Sequence, residues 1–370
     1  MENKIKIATV IGARPQFIKA SAVSRVLKEH SGSVCEVIIH TGQHYDYGMS
    51  EIFFEELQIP EPKYNLGISS LSHGSMTGRM IEKLEQVMII EKPDIVLLYG
   101  DTNSTLAGAV AAVKLHIPVA HVEAGLRSFN TKMPEEINRI LTDRISSLLF
   151  APTTGAVKNL EDEGFANFGS NVIRPGDVMF DSILFGAEKA QKPSFYIPEK
   201  YILATVHRPE TTNFYENLKT CIDIFKNELP LPVLLILHPG TKEKIAKYGI
   251  DTDSYNLTLI PPLSYYQMLY LMKNCSLVAT DSGGLQKEAF WLGKYCVTLR
   301  TETEWTELAD NGFNFVCGYD REKIVSSALK ALDLPEFDPK DHDFYGSGNA
   351  SEVIVNSIIS FLGQNSGETE

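Results

Sequence analysis

Apolar residues fall in short continuous runs, separated by stretches in which they recur every three or four positions. The first run, IKIATVI, is β-branched and stops at Gly12; Phe17, Ala20, Val23 and Leu27 then fall on one helical face. Continuing along the chain, the pattern predicts strands over 4–11, 36–40, 94–99, 119–122 and 148–151. Helices are predicted over 16–28, 49–57, 76–90, 104–115 and 134–147. A second series has strands over 201–206, 233–237, 257–260, 277–280 and 295–298, with helices over 215–227, 241–248, 265–272, 285–292 and 321–332. Strands apolar on both faces, alternating with helices, predict a parallel sheet covered on each side. The fold class is α/β, with two Rossmann-like doubly wound domains. A polar stretch at 191–194 approaches the second series; the boundaries are 1–175 and 176–349, with a last helix over 350–362.

Composition narrows the partners. The 370 residues carry 34 basic and 47 acidic side chains, a net charge of −13, which disfavours nucleic acid and anionic membrane surfaces. No uncharged run is long enough to span a bilayer, and the first residues do not read as a secretion signal. The expected compartment is the cytoplasm. Five scattered cysteines and nine histidines show no metal-ligand spacing, so neither a metal nor a cofactor is expected.

The candidate chemistry lies where strands give way to helices, the edge at which open α/β sheets bind ligands. Gly12-Ala13-Arg14-Pro15, with Lys19 one turn on, offers two cations beside a helix start. Thr280-Asp281-Ser282-Gly283-Gly284 offers a helix cap and a close backbone approach for an oxyanion, with Glu288 in reach of a ribose diol. Asp101, Glu123, Glu135 and His207 sit at four further strand or helix ends. Each residue alone reads equally well as a cap, a turn or a solvated charge. Carboxylates crowded at neighbouring edges point to acid/base chemistry.

Seven motifs in order resemble the non-hydrolysing UDP-N-acetylglucosamine 2-epimerase family: GARPQFIK at 12–19, TGQH at 41–44, GDTNSTLAG at 100–108, HVEAGLRS at 121–128, PEEINR at 134–139, HRPE at 207–210 and TDSGGLQKEA at 280–289. The resemblance implies the GT-B architecture, a UDP-sugar in an interdomain cleft, a homodimer, and no added cofactor or metal. It also implies C2 epimerisation by anti elimination of UDP and re-addition through a 2-acetamidoglucal. By motif, Asp101, Glu123, Glu135 and His207 are the catalytic set. Arg14, Lys19, Arg208, Ser282, Gly283, Gly284 and Arg300 would bind the nucleotide and phosphates, and Glu288 the ribose.

Three departures bear on substrate. The segment SFNTKM at 128–133 is short, RTETEWTE places Trp305 where the common pattern has Arg, and Tyr45-Asp46 and Ser69-Ser70-Leu71 replace a polar set needed for an activating second nucleotide-sugar site. The first two variants resemble the branch acting on UDP-2,3-diacetamido-2,3-dideoxyglucuronate in surface-polysaccharide pathways. A sugar carboxylate would need a cation, and Arg127, Lys132 and Arg208 are the candidates. The competing readings are a GT-B glycosyltransferase using a UDP-sugar donor, a non-catalytic UDP-sugar sensor, and a hydrolysing relative.

Overall fold

The computed structural model describes residues 4–43 and 59–365, apart from the side chains of Arg14 and Asn365. The helix expected over 49–57, His44 of the TGQH motif and the Tyr45-Asp46 pair lie outside the described residues. Two compact units are present: Met1–Ser182 with Asp343–Glu370, and Ile183–His342.

In the first unit seven parallel strands form one sheet: β1 (Ile5–Ile11), β2 (Val34–His40), β3 (Tyr64–Asn65), β4 (Ile95–Tyr99), β5 (Val119–Val122), β6 (Leu148–Phe150) and β7 (Asn171–Ile173). Their spatial order is β3-β2-β1-β4-β5-β6-β7. All five residues of β4 are buried, which is why the run has no polar alternation. Each such side chain contributes roughly 1.5–3 kcal/mol on burial. The helix Ala350–Asn365 packs against the helix Arg14–Glu29, so the end of the chain belongs to this unit. Its first turn is fixed by Asp181, whose carboxylate accepts from Ala350 N at 3.2 Å and Ser351 N at 2.8 Å.

In the second unit the strands are β8 (Ile202–Thr205), β9 (Val233–Ile236), β10 (Leu257–Ile260), β11 (Leu277–Thr280), β12 (Cys296–Thr298) and β13 (Asn314–Val316), in the order β10-β9-β8-β11-β12-β13. Renumbered from its own first strand, that is 3-2-1-4-5-6, the doubly wound order. The predicted α/β class therefore holds in both units. In each sheet the strand order reverses beside the first strand, between β1 and β4 and between β8 and β11. The crevice outside the carboxyl ends of those pairs is where such sheets take ligands.

Two short edge strands, β3 and β13, and the helix Thr154–Asp162 add to the predicted elements. Cys35 is exposed and the other four cysteines are buried free thiols.

Candidate active site

At the switch point of the first unit, Gln16 ties the ends of β1 and β4 together. Its Oε1 accepts from Gly12 N at 2.8 Å and Ala13 N at 3.0 Å, while Nε2 donates to Tyr99 O at 2.8 Å and Thr105 Oγ1 at 3.0 Å. Beyond β4 the chain turns through Gly100, at φ +63°. A Cβ there would lie 3.1 Å from Glu123 Oε2 and 3.5 Å from Lys19 Nζ. Gly100 is thus the floor on which those two side chains meet. Lys19 and Glu123 form an ion pair, with side chains 13% and 12% exposed. Burial works against the Lys19 charge, but Glu123, backed by Asp101 and Asp177, holds its ammonium above the usual lysine range. Arg14 opens the helix Arg14–Glu29, and its side chain lies outside what is described.

Glu123 itself sits at φ +75°, an unusual conformation for a residue with a side chain. A buried network over-determines it. The wholly buried His121 places Nε2 2.7 Å from Gly100 O and Nδ1 2.6 Å from Asp143 Oδ1. Asp143 also accepts from Gly125 N at 3.0 Å and Arg127 Nη1 at 2.7 Å. Burial would push the Asp143 carboxyl up, but His121 and Arg127 keep it below its usual range. Residues either side of Glu123 are therefore pinned, and its carboxylate is aimed as a consequence.

This network corrects one expectation. Arg127 cannot serve a sugar carboxylate, because Nη1 is on Asp143 and Nε and Nη2 grip Glu163 at 2.6 and 2.9 Å. Its side chain is 1% exposed. Burial disfavours its charge, and Glu163 with Asp143 raises its pKa despite that. Lys132 is exposed on the segment before Pro134.

Asp101 has its own cation. Arg139 Nη2 pairs with Asp101 Oδ2, and Nη1 reaches Glu136 Oε2 at 2.9 Å. Asn138 Nδ2 donates to Asp101 O at 2.8 Å. Both partners of Asp101 come from the helix Pro134–Arg144, whose second glutamate is 1% exposed. Glu136 accepts from Ser128 N at 2.9 Å and Phe129 N at 2.8 Å, fixing the loop after the HVEAGLR turn. Burial pushes its carboxyl up, and those N–H groups with Arg139 outweigh the effect and hold it below the glutamate range. Glu135, one residue earlier, is exposed on the helix's opening turn. Asp101, Glu123 and Lys19 are brought together; Glu135 connects to Asp101 only through the helix that carries Arg139.

In the second unit β8 leads into His207-Arg208 and β11 into Asp281-Ser282-Gly283. Asp281 is fully buried and collects His207 N at 2.9 Å, Arg208 N at 2.9 Å and Thr211 Oγ1 at 2.8 Å. His207 Nδ1 lies 3.3 Å from its Oδ1. One carboxylate thus shapes the turn and backs the imidazole. Ser282 caps the helix Gly283–Trp291, with Oγ accepting from Leu285 N at 3.5 Å. A Cβ on Gly283 would stand 3.4 Å from Arg208 Nη2 and 3.6 Å from Arg300 Nη1, so both guanidinium groups reach the helix start. Two cations over opening-turn N–H groups form an anion cradle. Glu288 lies on the same helix, its Oε1 4.0 Å from where a Cβ on Gly284 would be. The Trp305 indole N–H donates to Gly283 O at 2.8 Å, and Lys287 Nζ lies 4.0 Å over its ring.

Among the described residues no group of three or more His, Cys, Asp or Glu is placed to hold a metal ion. None of their helices is long and apolar enough to cross a membrane. Sequence reasoning gave no role of their own to Arg139, Glu136, Asp143 and Asp281, although the first two lie inside the PEEINR motif and Asp281 inside TDSGGLQKEA.

A sequence model described as UDP-N-acetylglucosamine 2-epimerase matches residues 25–359. The chain belongs to the UDP-N-acetylglucosamine 2-epimerase family. It is 50% identical over 355 residues to the UDP-2,3-diacetamido-2,3-dideoxy-D-glucuronate 2-epimerase of Pseudomonas aeruginosa, covering 95% of this chain and 98% of that one. It is 40% identical over 366 residues to the UDP-N-acetylglucosamine 2-epimerase of Methanocaldococcus jannaschii, covering 95% and 98%. The crystal structure of the enzyme from that organism with UDP-GlcNAc and UDP is similar at TM-score 0.79 and 39% identity, over 96% of this chain and 100% of that one. The expected family, the GT-B fold class and the enzyme class, an epimerase and hence an isomerase, all hold.

Proposed function

We propose that this epimerase reversibly inverts C2 of a UDP-2-acetamido sugar without hydrolysing it. UDP leaves by anti elimination as the C2 proton is removed, giving a 2-acetamidoglucal; UDP re-adds and a proton returns to C2 from the opposite face. That chemistry needs two acid/base groups, placed separately so that each addresses one face. The observation that carries the reading is that Asp101 and Glu123 stand at adjacent strand ends, each held by its own cation, Arg139 and Lys19. Either can be the base, depending on direction. Glu135 is assigned beside them, at the head of the helix that orients Asp101.

His207, backed by Asp281, acts at the leaving diphosphate. Arg208, Arg300, Ser282, Gly283 and Gly284 hold the phosphates so that UDP stays poised to return. Arg14 and Lys19 complete the anion-binding set and Glu288 binds the ribose.

Within this class the relative at 50% identity favours the 2,3-diacetamido-glucuronate over UDP-N-acetylglucosamine. With Arg127 consumed internally, Arg208 and Lys132 are the remaining cations for its carboxylate. A homodimer is supported by apolar residues left outward on neighbouring helices: Val113 at 36%, Ile137 at 46%, Ile140 at 37% and Leu141 at 47% exposed. The activity is tested by supplying each UDP-sugar alone and resolving the C2 epimers by NMR. Appearance of the manno epimer with UDP still attached supports the proposal. Free UDP without epimer favours transfer or hydrolysis.

A further inference from the structure

The anion cradle of the second unit already contains an anion. Glu304 Oε2 takes Arg300 Nη1 at 2.8 Å and Oε1 takes Nη2 at 2.9 Å, the parallel fork that a guanidinium also offers to phosphate. That carboxylate is not off to one side. Its Oε2 lies 3.6 Å from where a Cβ on Gly283 would stand, as do Arg300 Nη1 at 3.6 Å and Arg208 Nη2 at 3.4 Å. One carboxylate oxygen and two guanidinium groups converge on the first residue of a helix capped by Ser282. Burial pushes the Glu304 carboxyl up, yet Arg300 and Arg208 hold it below the glutamate range, so it stands there charged.

We propose that Glu304 is a built-in competitor for the diphosphate: its carboxylate occupies the phosphate fork of Arg300 and must swing away when the nucleotide binds. The idea rests on the UDP-sugar reading of this site. The exposures suit an exchange, since the Arg300 side chain is 11% exposed and that of Glu304 is 52% exposed. The cation is fixed and the anion is free to leave into solvent. An exposed ion pair contributes little, and a diphosphate brings more charge and more acceptor oxygens to the same fork. The device also answers a demand of the chemistry. UDP must stay long enough to re-add, but the finished nucleotide sugar must leave, and a carboxylate that refills the fork lowers the barrier to departure.

The test is UDP binding by calorimetry and stopped-flow to the full chain and its variants, with thermal melting to check folding. Glu304→Gln keeps the shape and removes the charge; it is expected to tighten UDP by roughly two- to fivefold, mostly through slower dissociation. Glu302→Gln, an exposed carboxylate two residues away, is expected to give less than half that gain, which separates competition from general removal of negative charge. In an Arg300→Ala background the Glu304→Gln gain should vanish. Equal or weaker UDP binding by Glu304→Gln, or an equal gain from Glu302→Gln, overturns the proposal while leaving the site reading intact. If the wild-type chain binds no UDP, the site reading falls and the proposal with it.

Discussion

Glu136 is the strongest test of how the first unit holds its proposed acid/base groups. The carboxylate is 1% exposed and takes three donors, Ser128 N, Phe129 N and Arg139 Nη1, at 2.8–2.9 Å. Phe129 sits at φ +56°, a conformation that a residue with a side chain keeps only under constraint. Glu136→Gln presents an amide NH2 to a partner that can only donate, so at least one bond is lost and donor faces donor in its place. Hydrogen bonds to charged groups contribute about 1.5–3 kcal/mol each. Two of the three donors lie near solvent and can recruit water, so the net loss is expected near 2–3 kcal/mol rather than the sum. Arg139, released on one side, no longer holds Asp101 from a fixed position. Displacement of a reacting group by a fraction of an ångström to an ångström costs up to about 100-fold, and a 10- to 100-fold loss of kcat is expected. UDP affinity, which the proposal assigns mainly to the second unit's cradle, should change less than twofold. Urea unfolding, steady-state epimerisation and UDP calorimetry measure the three quantities. A folded Glu136→Gln enzyme with stability within 0.5 kcal/mol of wild type and undiminished turnover would refute the reasoning.

Three more predictions follow from the same geometry. Asp101→Asn and Glu123→Gln should each lower kcat by about 10²–10⁴-fold, the range for loss of a general acid or base, with melting temperature nearly unchanged; full turnover in both folded variants would remove the acid/base assignment. Asp281→Asn should lower kcat in the wild-type background but have little further effect once His207 is replaced by Asn, because it acts through that ring; additive losses would make Asp281 only a structural residue. Glu36 accepts from Thr9 Oγ1 at 2.6 Å and Ser24 Oγ at 3.0 Å, and burial raises its pKa from 4.5 to about 7. The folded state therefore holds this proton more tightly than the unfolded chain does. The resulting stability is complete below about pH 4.5 and is lost as pH rises to 7, by at most about 3 kcal/mol. Glu36→Gln should flatten the urea-unfolding stability over that interval; an unaltered slope would contradict the assignment.

The alternation of β1, β4, β8 and β11 with helices was legible because strands buried on both faces leave unbroken apolar runs. The helix Thr154–Asp162 was not, since only Ala156 and Leu160 among its nine residues are buried and no stripe forms. Strands β3 and β13 have two and three residues, too short for a period. At the site, spacing places Asp101, Glu123 and His207 at strand ends. It cannot tell which cation each carboxylate will meet, because the partners lie 38 residues apart for Asp101 and Arg139, and 104 for Glu123 and Lys19. Arg127 shows the reverse error. In sequence it is a cation beside a catalytic motif; in three dimensions Asp143 and Glu163 leave it no free donor face. Asp281 looked like an ordinary turn aspartate, and its role emerges only from the four groups gathered around it.

Central to the account is a proton that leaves C2 and comes back from solvent-exchanged carboxyl groups while UDP remains available. Incubating the enzyme in D2O with its UDP-2-acetamido sugar, without any acceptor, and following C2 by NMR measures this directly. The account predicts deuterium at C2 in the epimerised nucleotide sugar, with UDP still attached, and loss of that label in Asp101→Asn and Glu123→Gln. Epimer formed with the original C2 hydrogen retained, or UDP released with no exchange at C2, would contradict it.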